Sequence, residues 1–159
     1  MTKRFAPAEA APAAYKAMLS LEQYVRGSGL DGKLLELVKV RASQINGCAY
    51  CLDMHTKDAR AHGETEQRLY GLSAWREAPY YSDRERAALE WTEAVTRLGA
   101  EGVPDDVFAT AHAAFSDVDL VNLTMALIAI NGWNRIAIAF RSPEPGSYRV
   151  PADKAQPAK

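Results

Sequence analysis

Apolar residues along this chain return three or four positions apart, and almost nowhere do they alternate as a strand requires. Tyr15, Met18, Leu19, Leu21 and Val25 form one such face, which predicts a helix over residues 7–26, ended by Gly27-Ser28-Gly29. Leu34, Leu35, Leu37, Val38 and Val40 predict a second over 32–45, broken by Asn46-Gly47. A third opens at Cys48 and stops near Gly63, and a short helix follows at 66–72. Ser82-Asp83-Arg84-Glu85 is a capping-box pattern, in which the Ser and Glu side chains satisfy each other's orphan amides, and its helix should reach about Leu98. Pro104 suits a first helical position for a segment ending near Phe115, and Ser116 caps a long apolar helix running to Phe140. The expected fold is all-α, a helical bundle with its two cysteines at the start of a central helix.

A chain of 159 residues suits one helical domain, placed at 1–142. Pro143, Pro145, Gly146, Pro151 and Pro157 mark residues 143–159 as a tail, expected to wrap a neighbour or stay mobile. A net charge of −1 without a basic cluster argues against nucleic acid or an acidic membrane as partner. The most apolar run, Met125–Ile130, is flanked by Asn122, Asn131, Asn134 and Arg135 and falls short of a span of about 20 apolar residues. Met1-Thr2-Lys3-Arg4-Phe5 lacks the apolar stretch of a signal peptide, so a cytoplasmic location is expected.

The chain has two cysteines, three apart in Cys48-Ala49-Tyr50-Cys51. A close pair in such a chain points to redox chemistry or metal binding. Cys48 lies at the helix start, where unpaired amides and the helix dipole favour a thiolate. Cys51 is one turn on, and His55 one turn further on the same face, so a neutral imidazole can take the Cys51 proton. Residues three apart in a first turn can bring their Cβ atoms within the roughly 3.5–4.5 Å of a disulfide, so an intrachain Cys48–Cys51 bond is expected. Zinc would need a fourth ligand beyond Cys48, Cys51 and His55, and the nearest spare is His62, two turns away. Leu52 excludes haem attachment, and the lack of strand signals excludes a thioredoxin-like βαβ setting. Two inert core cysteines are the bland alternative.

The spacing Glu36-x11-Cys48-Ala49-Tyr50-Cys51-x3-His55, within Ile45-Asn46-Gly47-Cys48-Ala49-Tyr50-Cys51-Leu52-Asp53-Met54-His55, resembles the signature of AhpD-like alkylhydroperoxidases of the carboxymuconolactone decarboxylase superfamily. Asn131-Gly132-Trp133-Asn134-Arg135 in the last helix also looks like that family, so the similarity covers most of residues 10–142. The resemblance implies an all-helical AhpD-like bundle, trimeric or hexameric assembly and peroxiredoxin-type activity. It casts Cys51 as the thiolate that attacks the peroxide and Cys48 as the resolving thiol. His55 would accept the Cys51 proton, with Glu36 orienting it or relaying through it. The best-studied members have His directly before the second cysteine, whereas this chain has Tyr50, a far weaker base near neutral pH. The relay is therefore shorter here, with Tyr50 as either a member or a packing residue.

The activity so implied is reduction of hydroperoxides through a dithiol–disulfide cycle, recycled by an external dithiol or lipoyl-type reductant. No cofactor or metal is called for, since the electrons pass through sulfur. A lactone decarboxylase or isomerase, and a non-enzymatic redox sensor, are the alternatives. Apolar faces around Val121–Phe140 exceed what one helical layer hides, so a homo-oligomer is expected. Trp133 is read as a core or interface anchor, and His62 and His112 as surface or helix-end residues. Asn131, Asn134 and Arg135 need buried partners, from a neighbouring subunit or from the active-site helix.

Overall fold

The computed structural model describes residues 2–151. Among them are eight α-helices: α1 Pro7–Ala10, α2 Pro12–Arg26, α3 Gly32–Asn46, α4 Ala49–Ala61, α5 Glu66–Gly71, α6 Asp83–Thr96, α7 Asp105–Ala114 and α8 Asp117–Phe140. No named strand occurs among the described residues. A 3₁₀ turn at Leu72–Ala74 extends α5. The single helix expected over 7–26 is two, because Ala11 precedes Pro12 and sits at φ −142° and ψ 72°. A residue before proline is pushed out of the helical region, so the chain breaks there. Pro104 caps α7 rather than opening it, a shift of one residue.

The helix α3 is the axis of the bundle, packed against α4, α6 and α8. Leu37, Val38, Leu123, Leu127 and Ile130 are fully buried there, each contributing about 1.5–3 kcal/mol of apolar burial. Polar side chains also sit deep on α3. Arg41 reaches Glu93 of α6 at 2.6 Å, and the same carboxylate accepts hydrogen bonds from Trp75 Nε1 and Arg76 Nη1, each at 2.8 Å. Burial opposes ionisation of Glu93, but the bonds from Trp75, Arg76 and Arg41 win and hold its pKa at about 2.

At 24 residues, the length expected from its Ser116 cap to Phe140, α8 is long and apolar enough by length and composition to cross a membrane. Its Leu120, Leu123, Ala126, Leu127, Ala129 and Ile130 are instead core of the bundle. Val118, Val121, Ile128 and Ile138 are left exposed on its other side.

Beyond α8 the chain turns back on itself. Residues 143–151 lie along α4 of the same chain, rather than leaving for a neighbour. Gly146 N donates to Asp53 Oδ2 at 3.2 Å, Lys57 Nζ to the Tyr148 carbonyl at 3.2 Å, and the Tyr148 hydroxyl to Asp58 Oδ1 at 2.7 Å. The rest of the expected tail, 152–159, lies outside the described residues.

Candidate active site

The turn between α3 and α4 carries the first cysteine. Gly47 takes φ 69°, a left-handed conformation that glycine adopts without strain, and Cys48 N donates to the Ser43 carbonyl at 3.1 Å to close the end of α3. Cys48 is therefore the N-cap of α4, and its sulfur accepts from Cys51 N at 3.4 Å. The two sulfurs lie at bonding distance, with Cα atoms 5.3 Å apart.

Asparagines of α8 pin this turn. Asn46 Nδ2 donates to Asn131 Oδ1 and to Asn134 Oδ1, both at 2.8 Å, and Asn134 Nδ2 reaches Ser43 Oγ at 3.1 Å. The partners these residues need thus come from the active-site turn within the same chain. Arg135 is exposed and bonds back to Asn131.

Below the cysteines, α4 turns His55 toward α3. His55 Nδ1 lies 2.7 Å from Glu36 Oε2, and both residues are buried. The Glu36 carboxylate is therefore not a solvated surface group. Asp58, one turn past His55, is fully buried, and one donor atom each from Glu36, His55 and Asp58 lies within 4.8 Å of the others. A metal would draw on this trio. Its donors are engaged, however, His55 with Glu36 and Asp58 with the Tyr148 hydroxyl, two hydrogen-bonded pairs side by side.

Cys51 and His55 line one cavity of about 170 Å³, together with Tyr15, Tyr50, Met54 and Trp133. Trp133 is thus a wall of the cavity, half-buried and packed edge-on to Tyr15 at 5.1 Å, rather than a core anchor. Glu22 stands at the same cavity, paired with buried Lys39 at 2.6 Å and with Arg26 at 3.3 Å. Burial pushes its carboxyl up, but Lys39, Arg26 and His55 together outweigh that and hold Glu22 below the usual carboxylate range. Tyr50 is pushed up by burial, then by Tyr15, Asp53 and Asp58, and stays a neutral phenol. Cys48 lines a separate groove of about 680 Å³ beside Lys3, Arg141 and Glu144. Cys48 is 1 % exposed against 4 % for Cys51, so its place at the helix start does not bring it to the surface. It belongs to the main apolar core.

A model of the carboxymuconolactone decarboxylase family matches residues 12–94, a stretch that holds Glu36, both cysteines and His55. This chain belongs to that family. Within it, the chain is AhpD-like. It is 44% identical over 139 residues to YdfG, an uncharacterized protein of Bacillus subtilis, covering 87% of this chain and 95% of that one. YnjA of Escherichia coli, also uncharacterized, is 30% identical over 129 residues, or 80% and 70% of the two chains. The crystal structure of ATU0492 from Agrobacterium tumefaciens superposes with a TM-score of 0.87 at 50% identity, over 91% of this chain and 99% of that one. That protein is of unknown function, assigned provisionally to antioxidant defence as an AhpD.

Family membership and geometry together assemble Cys48, Cys51, His55 and Glu36 in one place, with Tyr50 on the cavity wall. Asp58, Tyr148, Glu22 and Lys39 were not foreseen. Asp58 had a legible signal, lying three residues past His55 and seven past Cys51 on one helical face. Tyr148 had none, since a return of the tail to α4 leaves no local pattern. His62 caps the end of α4, with a buried Nδ1 that finds no hydrogen-bond partner among the described residues. His112 is exposed and pairs with Asp117 at 2.7 Å.

Proposed function

We propose that this protein is a thiol-dependent peroxidase that reduces hydroperoxides through a Cys48–Cys51 dithiol–disulfide cycle. One observation carries the reading: two sulfurs at bonding distance, with Cys51 opening onto the same cavity as a histidine held by a buried carboxylate. The Cys51 thiolate attacks one peroxide oxygen, an S–O bond forms as the O–O bond breaks, and the alkoxide leaves as an alcohol after taking a proton. The Cys48 thiol then attacks the sulfenic sulfur, the disulfide closes, and water departs. An external dithiol, of lipoyl or similar type, restores both thiols by exchange.

His55 takes the Cys51 proton in this scheme. Its Nδ1 is committed to Glu36, which leaves Nε2 as the nitrogen to act as base and sets that tautomer. Tyr50 supplies a neutral hydroxyl to the cavity wall and contributes no base. The mostly apolar lining suits an organic peroxide, and the exposed stripe on α8 supports assembly into a homo-oligomer; a trimer or hexamer, and a cytoplasmic location, are the proposal that goes with the family resemblance.

Peroxide consumption in the presence of dithiothreitol tests the activity. Wild type should consume hydroperoxide catalytically and Cys51→Ser should not. Equal rates in the two, or none in wild type, reject the peroxidase and leave a redox sensor or a lactone-directed enzyme.

A further inference from the structure

The stretch that matches the family ends at residue 94, yet a residue 54 positions beyond it reaches the centre of the site. Tyr148 lies on the returning tail, and its hydroxyl donates to Asp58 Oδ1 at 2.7 Å. Two further bonds fix the strap that carries it: Lys57 Nζ to the Tyr148 carbonyl, and Gly146 N to Asp53 Oδ2. All three receiving or donating side chains, Asp53, Lys57 and Asp58, lie on α4, the helix of Cys51 and His55. The strap therefore grips the active-site helix and places one phenol against its most deeply buried acid.

That acid needs such a partner. Glu36 and Asp58 bring two buried carboxylates and the buried His55 ring within 4.8 Å of one another. Like charges buried together raise each other's cost of ionisation, and hydrogen bonds from neutral donors lower it. Tyr148 is suited to donate, because burial, then its bond to Asp58, keeps the phenol protonated far above neutral pH. The other ionisable groups around the cluster are the Glu22–Lys39 pair, Arg26, Tyr50 and Lys57.

We infer that Tyr148 is a positioning residue of the proton relay, holding Asp58 so that the Glu36–His55 pair keeps the charge and orientation needed to accept the Cys51 proton. The inference rests on the peroxidase reading of the same site. Tyr148 touches neither cysteine and acts through Asp58 and His55. Without the hydroxyl, a buried charge loses a donor, and such a charge neutralises or turns away. Less negative charge then stands beside the imidazole, the imidazolium is supported less, and Cys51 gives up its proton only at higher pH.

The test is the pH dependence of iodoacetamide alkylation of Cys51, read in a Cys48→Ser background so that a single thiol reports. Tyr148→Phe should move the midpoint upward by about one pH unit, which is a tenfold lower thiolate fraction below it. Asp58→Asn should move it the same way. The variant carrying both should move no further than Asp58→Asn alone, because the phenol acts only through that carboxylate. A midpoint unmoved in Tyr148→Phe overturns the inference, whether or not the melting temperature falls, since a strap that is merely structural lowers stability without touching the profile. Additive shifts in the double variant overturn it as well. Alkylation needs no peroxide, so a wild type that consumes none rejects the peroxidase while leaving this measurement to decide the role of Tyr148.

Discussion

The two sulfurs have unequal surroundings, and that inequality decides their chemistry. Cys51 shares a cavity with His55, and Cys48 is the N-cap folded over Ser43. A base within the same cavity favours Cys51 as the attacking thiolate. With peroxide and dimedone, Cys48→Ser should trap a sulfenic acid on residue 51 in one stoichiometric turnover, and His55→Ala should slow that step by about 10²–10⁴-fold. Fast label on Cys48 in Cys51→Ser, with none on Cys51 in Cys48→Ser, would reverse the assignment. His55 was legible from its spacing, four residues after Cys51, and Glu36, twelve before Cys48, from the resemblance to the AhpD-like signature. Their burial was not, because a carboxylate on a helix is solvated unless another element covers it. The return of α4 against α3 covers this one.

A helix start places a thiol only as well as the turn before it is held. Three asparagine amides tie that turn to α8: Asn46 to Asn131 and Asn134, and Asn134 to Ser43. Asn134 is fully buried, so Asn134→Ala takes from Ser43 Oγ its asparagine donor and leaves Asn46 with Asn131 alone. It should destabilise the fold by about 1–3 kcal/mol, measured by urea unfolding. It should also slow closure of the Cys48–Cys51 disulfide after one equivalent of peroxide. Unchanged closure with lowered stability would confine the asparagines to a structural part. Sequence signals located each helix within a residue or two because caps and breakers are local: Ser82 with Glu85 form the expected capping box, and Ser116 caps α8 through Asp119 N. The break at Ala11 had an equally local signal in Pro12, outweighed by the apolar spacing on either side.

At the scale of the whole molecule, one side of α8 is core and the other is bare. Val118, Val121 and Ile128 are exposed on it, in register with one another at helical spacing, and Leu19 and Tyr24 of α2 are exposed as well. Apolar area laid out this way on a small protein is usually covered by a partner, and the occupant proposed is a second copy of the chain. Light scattering at micromolar concentration should report at least a trimer, and Val121→Glu should shift it toward the 17.4 kDa monomer. A clean monomer for wild type would reject assembly and leave the stripe unexplained.

Periodicity, caps and the spacing of Glu36, Cys48, Cys51 and His55 determined the all-α fold and the family, because each of these is written within a few turns of one helix or at a fixed distance along two. Only the tertiary structure decided which way each sulfur opens, that Trp133 walls the cavity, that Lys39 is buried against Glu22, and that Tyr148 reaches Asp58 from 90 residues away. Such contacts arise where helices distant in sequence are packed together to hide apolar surface. The polar groups caught between them must then find partners, and those partners are chosen by the packing rather than by any local pattern.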